Sequence, residues 1–239
     1  MPVVQHEPPE FHPPVEEYLE AIHTLGEEGV EVIQARVAER VGRSAPSVSE
    51  MLGRLEEEGY VVRQGRRLSL TPAGEAVACR VVRRHRLAER LLVDVIGLEW
   101  HKAHLEAGRW EHVISDEVED RLVALLGDPS TCPHGNPIPG SANRVEADLR
   151  PLAEVTAGTT VRLARVTEEV EIDSDALALL GTSGFVTGEL AVVVSRRPDG
   201  AATILVGAST VELSPRIAAN LFVTVENETA ALSARAGTE

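Results

Sequence analysis

The sequence predicts an α+β chain in three parts: a winged helix-turn-helix, an all-helical segment and a small C-terminal β-barrel. Three observations carry this. Residues 15–70 run helix, helix, proline-started helix and then an arginine-tipped hairpin. Residues 74–126 are long amphipathic stretches. From Thr159 onward, short alternating runs of β-branched residues replace the helical period.

From Val15, "VEEYLEAIHTL" puts Val15, Tyr18, Leu19, Ile22 and Leu25 on one stripe, and Gly26 and Gly29 end it. "VIQARVAERVG" keeps Ile33, Val37 and Val41 in register and stops at Gly42. In "RSAPSVSEMLGRLEEEG", Ser44 is the expected N-cap, Pro46 lies in the first turn and Gly59 ends the element. "YVVRQGRRLSLT" follows as two strands about a Gln64-Gly65 turn, with Arg63, Arg66 and Arg67 at the tip.

On this plan the third helix is the recognition helix. Ala45 and Pro46 suit thymine methyls, and Ser44, Ser47 and Ser49 suit phosphates or base edges. Arg36, Arg40, Arg54, Arg66 and Arg67 are the candidates for backbone phosphates. The formal net charge of −15 speaks against nucleic acid until its distribution is read. Residues 1–33 hold eight acids and no Lys or Arg, whereas residues 34–72 hold seven arginines and five acids, so one basic segment sits in an acidic chain.

Thr71 and Pro72 open a long helix reaching Gly97. "HKAHLEAGRWEH", 101–112, is a second helix, and Ser115 caps a third that ends at Gly127. Their apolar faces (Val81, Val82, Leu91, Leu92, Val95, Ile96, Leu122, Val123, Leu125, Leu126) suit a dimer interface. "GDPSTCPHGNPIPG" is a loop by composition. "TVRLARV", "LAVVVSRR", "ATILV", "STVEL" and "LFVTVE" are the strands, with helices at 174–181 and after Ser214-Pro215. The expected parts are an unstructured arm 1–14, the DNA-binding domain 15–73, a metal-binding and dimerisation domain 74–140, a linker 141–157, the barrel 158–228 and an unstructured tail 229–239.

Donors cluster on the helices. His85 and Glu89, four apart, share a face, and His104 follows on the next helix. Positions 104, 108, 111 and 112 share a side of that helix by the i, i+3, i+4 rule, with Gly108 offering only a carbonyl. Glu17 and Glu20, three apart on the first helix, are further carboxylates. Spacing alone leaves ligand sets and solvated faces evenly matched, and His6, His12 and His101 receive no role. Cys79 and Cys132 form no CxxC pair, which argues against a thiolate zinc site and for nitrogen and oxygen ligands. No apolar run is long enough for a membrane span, and "MPVVQHEPPEFHPP" lacks a signal-peptide layout, so a cytoplasmic protein with no membrane partner is expected.

"RRHRLAERLLVDVIGLEWHKAHLEAGRWEHVISDEVEDRL" with "CPHGNPIPG" resembles the diphtheria toxin repressor family of metal-activated transcriptional regulators. The resemblance covers roughly residues 15–226. It implies an SH3-like identity for the barrel, a homodimer, and two divalent ions per subunit. Carried over by position, an ancillary site uses His85, Glu89 and His104, with Glu171 and Glu168 from the barrel. A primary site uses Glu111, His112, the Gly108 carbonyl and the first helix. Arg86 and Asn136 match anion-holding positions.

Three departures bear on specificity. Iron-responsive members have a sulfur ligand on the first helix and a cysteine at position 108. This chain has Glu17 and Gly108, and "EEYLE" instead resembles manganese-responsive members, which supply two carboxylates matching Glu17 and Glu20 but usually carry glutamate at 108. Carboxylates harden the site, which favours Mn²⁺ over Fe²⁺. Glu50 stands where relatives often have glutamine, and a carboxylate there suits a cytosine amino group.

The expected function is a metal-activated homodimeric repressor of metal-homeostasis genes. It would bind a palindromic double-stranded operator as one or two dimers. The alternatives are a winged-helix regulator of another stimulus with a structural metal site, and a metal-dependent hydrolase. No nucleophile elbow, phosphate loop or HExxH motif supports an enzyme.

Overall fold

The computed structural model describes residues 13–143 and 148–226. The expected arm (nearly all of it), the expected tail, His6 and His12 lie outside the described residues. The chain forms two compact units: residues up to Arg84 with Glu111–Val113, and His85–Trp110 with Ile114 onward.

In the first unit, helices α1 (Pro13–Glu27), α2 (Gln34–Val41) and α3 (Ala45–Glu57) precede strands β1 (Val61–Gln64) and β2 (Arg67–Leu70). Helix α4 (Pro72–Arg90) begins here and continues into the second unit. Leu19, Val37, Val48, Leu52 and Leu55 are fully buried at the centre, each on the stripe its 3.6-residue period dictates. Gly42, at φ 63°, lets α2 end in a left-handed turn. Ser44 is the N-cap of α3 by position, although its hydroxyl makes no capping bond. Gln64 pairs with Arg67, so the hairpin loop is Gly65-Arg66 rather than Gln64-Gly65. Gly65 adopts the positive φ that such a two-residue turn demands.

In the second unit α4 loosens into a π-type turn, Leu91–Ile96, closed by Gly97 at φ 78°. A 3-10 turn, Trp100–Lys102, leads into α5 (Ala103–Trp110), and α6 (Asp116–Leu126) follows. The Ser115 hydroxyl accepts from the Val118 N–H, as expected of the cap. The expected single helix over 101–112 therefore stops at Trp110, and Glu111 and His112 occupy a turn. Leu87, Ala88, Leu92, Ala103, Ala107, Ile114, Leu122 and Ile138 form one core. Val95, Ile96, Leu105, Val118 and Leu125 stay exposed. Of the face expected at a dimer interface, Val81, Val82, Leu92 and Leu122 are consumed within the chain instead.

The C-terminal part is an antiparallel sheet ordered β3-β8-β4-β5-β6-β7. Its strands are β3 (Arg150–Pro151), β4 (Thr160–Val166), β5 (Leu190–Arg196), β6 (Ala202–Val206), β7 (Ser209–Leu213) and β8 (Leu221–Val225). Register shifts at Leu163/Arg165 and Val193/Ser195 bend it. Short helices α7 (Glu168–Glu171), α8 (Ser174–Ser183) and α9 (Pro215–Ala219) accompany it. The expected linker 141–157 needs correction: Arg150 and Pro151 pair with Val223 and Phe222, and Leu152 and Val155 are buried in the sheet's core. Leu149, Leu152, Ala153 and Val155 are interspersed with Arg150, Pro151 and Glu154 in neither a strand nor a helical alternation, so only packing reveals which of them are buried. Residues 144–147 lie outside the described residues.

Candidate metal centres

The second unit gathers the densest set of donors. His85 and Glu89, one turn apart on α4, place Nε2 and Oε1 3.2 Å from each other. His104, from the first turn of α5, brings Nδ1 to 3.0 Å from His85 Nε2 and 3.3 Å from Glu89 Oε1. Helix α7 supplies Glu168 Oε1 at 3.6 Å and Glu171 Oε2 at 3.7 Å from the His104 ring. All five ancillary candidates named from the sequence thus converge.

Two further donors sit with them. His134 is fully buried, its Nδ1 3.1 Å from Glu89 Oε1 and 3.2 Å from Glu171 Oε1. The thiol of buried Cys132 belongs to the same group, with donor atoms of Glu89, Cys132, His134 and Glu171 all within 4.8 Å. The sequence argument against a thiolate ligand misses this, because it weighs CxxC spacing and not a lone cysteine. The signal was "CPHG": a thiol and an imidazole two residues apart in a proline- and glycine-bounded loop.

The loop is held by a set of backbone and side-chain hydrogen bonds. Thr131 bridges Pro137, and the Cys132 N–H donates to the Asn136 carbonyl. Trp100 Nε1 donates to the Pro133 carbonyl, and Arg90 Nε to the Thr131 carbonyl. The Asn136 amide donates to the Val166 carbonyl and to Glu171 Oε1, while its oxygen accepts from Arg165. Arg86 donates to the Pro137 carbonyl. Both expected anion-holding residues therefore brace the loop against neighbouring backbone.

Electrostatics fit a divalent ion. Burial raises the Glu171 carboxyl well above the usual carboxylate range, and the charges of Glu89 and Glu168 add to this. Burial, with the charges of Glu89 and Glu171, lifts the Cys132 thiol well above its ordinary value. Burial opposes the charge on Glu89 too, but His134 and His85, with hydrogen bonds from His104 and His134, outweigh it and hold that carboxyl well below normal. Its Oε2 is buried with no hydrogen-bond partner among the described residues. An orphaned carboxylate oxygen among imidazoles, a thiol and a second carboxyl is a donor set a cation would complete.

In the first unit, His112 lies between two buried acids. Its Nδ1 is 2.6 Å from Glu16 Oε2 and its Nε2 3.1 Å from Glu111 Oε1. Glu111 and, weaker, Glu16 hold the imidazole protonated, its pKa raised to about 10. A carboxylate oxygen of Glu20 lies within 4.8 Å of one from Glu111. The first-helix residue against His112 is thus Glu16, whereas the sequence pointed to Glu17, which is half-buried. The two acids address opposite ring nitrogens, so His112 must turn to present a free nitrogen to an ion they share. The imidazolium meanwhile supplies the positive charge that these carboxylates need. Gly108 is exposed near the end of α5, and a Cβ there would meet nothing within 4 Å.

The nucleic-acid candidates divide. Ser44, Ala45, Pro46, Ser47, Ser49 and Glu50 are all exposed along one end of α3. Arg66 and Arg67 are exposed but share Glu31, at 2.7 and 2.9 Å. Arg36 pairs with Glu39 and Arg54 with Glu58 at the surface. Arg40 departs from the expected phosphate role: its buried guanidinium bonds Glu28 and Thr24, tying α2 to α1.

Three family matches tile the chain. Residues 10–68 match the iron dependent repressor N-terminal DNA binding domain, 71–140 its metal binding and dimerisation domain, and 150–225 the FeoA domain. The chain is 45% identical over 202 residues to the iron-dependent repressor IdeR of Mycobacterium tuberculosis, covering 80% of this chain and 87% of that relative. It is 42% identical over 207 residues to the diphtheria toxin repressor of Corynebacterium diphtheriae, covering 83% and 91%. Among solved structures, a manganese-dependent transcriptional repressor in complex with manganese superposes with a TM-score of 0.78 at 32% identity, covering 89% of this chain and 100% of that one. The IdeR of T. acidophilum gives 0.71 at 28%, covering 88% and 97%.

Proposed function

The chain belongs to the iron-dependent (diphtheria toxin) repressor family, and from that premise we propose that it is a homodimeric, Mn²⁺-activated repressor of metal-homeostasis genes with two divalent ions per subunit. Metal-dependent transcriptional repression is the family's function. Manganese, the stoichiometry, the palindrome and the dimer are our reading.

The observation carrying it is the carboxylate–imidazole group Glu16, Glu20, Glu111 and His112. Residues Glu111–Val113 group with the DNA-binding unit, although Trp110 and Ile114 on either side belong to the helical unit. A donor set here ties α1 to the segment that links the dimerisation helices. Glu16, Glu20 and Glu111, with His112 once it has lost its proton, would hold a divalent cation, whose charge would replace that of the imidazolium between these acids. The chain's residues then fix the reading helices at a spacing that suits successive major grooves, about 34 Å or a multiple apart. Carboxylate oxygens outnumber the single imidazole, a hard set that suits Mn²⁺. The mycobacterial IdeR relative points the other way, being iron-dependent by name, so the metal is the point to test. Val95, Ile96, Leu105, Val118 and Leu125 are exposed apolar side chains that a second subunit would cover.

Operator binding, measured anaerobically with Mn²⁺ and Fe²⁺ separately and with chelator, decides. Tight binding with Mn²⁺ and loss with chelator are expected. Equal affinity in chelator would favour a regulator of another stimulus, and a preference for Fe²⁺ would overturn the hard-ligand reading. Changing Glu16 and Glu17 singly to Met, each with Gly108→Cys, tells which first-helix acid controls selectivity.

A further inference from the structure

We infer that the first unit holds a third divalent-cation site, formed by His23, Glu75 and Cys79, that takes thiophilic ions such as Zn²⁺ and Co²⁺ in preference to Mn²⁺. Glu75 and Cys79 are one turn apart on α4, and His23 and Glu27 are one turn apart on α1, so each pair shares a helix face. The two helices pack through Leu19, Ile22, Val77 and Ala78 in one core. That packing brings His23 Nδ1 to 3.0 Å and Cys79 Sγ to 3.4 Å from the same oxygen, Glu75 Oε1. All three donors lie within 4.8 Å of one another.

Ligands bound tetrahedrally at about 2.0–2.3 Å stand roughly 3.3–3.7 Å apart, so little movement is needed to close around an ion. Glu27 Oε1 lies 3.6 Å from the other ring nitrogen of His23, just beyond hydrogen-bond distance, so a small shift would let that carboxylate orient a coordinating imidazole. The Glu75 side chain is 49% exposed, which leaves the ion a way in and a fourth position for water. One nitrogen, one sulfur and one oxygen make a borderline-soft set, unlike the carboxylate-rich group at His112. None of the three donors belongs to either centre described above.

The test titrates the full chain with Co²⁺ under reducing conditions and follows thiolate-to-cobalt charge transfer in the near ultraviolet. Cys132 is the other thiol, so the protein carries Cys132→Ser throughout. A charge-transfer band is expected in that protein, lost on adding Cys79→Ser and weakened about tenfold or more in affinity by His23→Gln. Mn²⁺ should displace Co²⁺ poorly and Zn²⁺ should displace it well. No band in the Cys132→Ser protein, or a band indifferent to Cys79→Ser or to His23→Gln, would overturn the site. Failure here leaves the operator experiment untouched, because that one reads the centre at His112.

Discussion

Substituting Gly135 by alanine should dismantle the buried donor cluster, although Gly135 donates nothing to it. Gly135 sits between His134 and Asn136 at φ 90°, where side chains are strained. A Cβ would stand 1.9 Å from the Ala164 carbonyl oxygen and 2.8 Å from the Arg165 Cα, both inside the 3.0 Å that real Cβ atoms keep. Strand β4 and the loop are locked together there, since the Val166 N–H donates to the His134 carbonyl and Asn136 donates to the Val166 carbonyl. One of them must retreat by about 1 Å. The left-handed backbone costs about 1–2 kcal/mol, and overpacking about 1–3 more.

Gly158 is the matched control: its φ is 87°, but a Cβ meets nothing within 4 Å among the described residues. Gly158→Ala should therefore carry the backbone cost alone. At about 2–4 °C per kcal/mol for a domain of this size, Gly135→Ala should lower Tm by roughly 4–20 °C and Gly158→Ala by roughly 2–8 °C, the difference being the overpacking. Calorimetry of the metal-free chain reads the first effect, and equilibrium dialysis against Mn²⁺ reads the second. Gly135→Ala should lose one equivalent of metal, and Gly158→Ala none. Equal Tm losses, or full metal uptake by Gly135→Ala, would refute the close approach as the reason for this glycine.

Three other outcomes are expected. His112, with a pKa of about 10 in the folded chain against 6.5 unfolded, adds stability to the metal-free protein that is complete below pH 6.5 and disappears as pH rises through about 10. Denaturation of wild type and His112→Gln across pH 6–10 should converge at the alkaline end. The same proton must leave when the ring coordinates, so metal affinity at this centre should rise about tenfold per pH unit below pH 10, measured by titration at two pH values. Glu89→Gln removes the carboxylate shared by three imidazoles and should abolish uptake at the buried cluster while sparing the centre at His112. Two full equivalents of Mn²⁺ in that variant would contradict the assignment. Glu31→Gln frees Arg66 and Arg67, so metal-loaded operator binding should tighten at low salt. Its salt slope should steepen by up to about 0.9 per phosphate newly contacted, and an unchanged slope would show that the wing stays off the DNA.

Local rules made much of this protein legible before any folding. The α1 stripe, Gly42 after α2, Pro46 in the first turn of α3 and the Ser115 cap are interactions within a few residues, and the chain writes them directly. So are the i, i+4 pairing of His85 with Glu89 and the alternation in β4 through β8. Resemblance added Glu168 and Glu171, and it joined His104, already a donor on the next helix, to the pair on α4. Tertiary packing decided the rest. It swung Glu111 and His112 out of the helix that ends at Trp110, and it set Glu16 rather than Glu17 against that ring. It recruited His134 and Cys132 by folding a proline–glycine loop onto β4, buried Arg40 against Glu28, and drew Arg150–Val155 into the sheet. In each case the energy lies in desolvation and in contacts between residues far apart in the chain. Neither periodicity nor composition encodes such contacts, because both report only on neighbours.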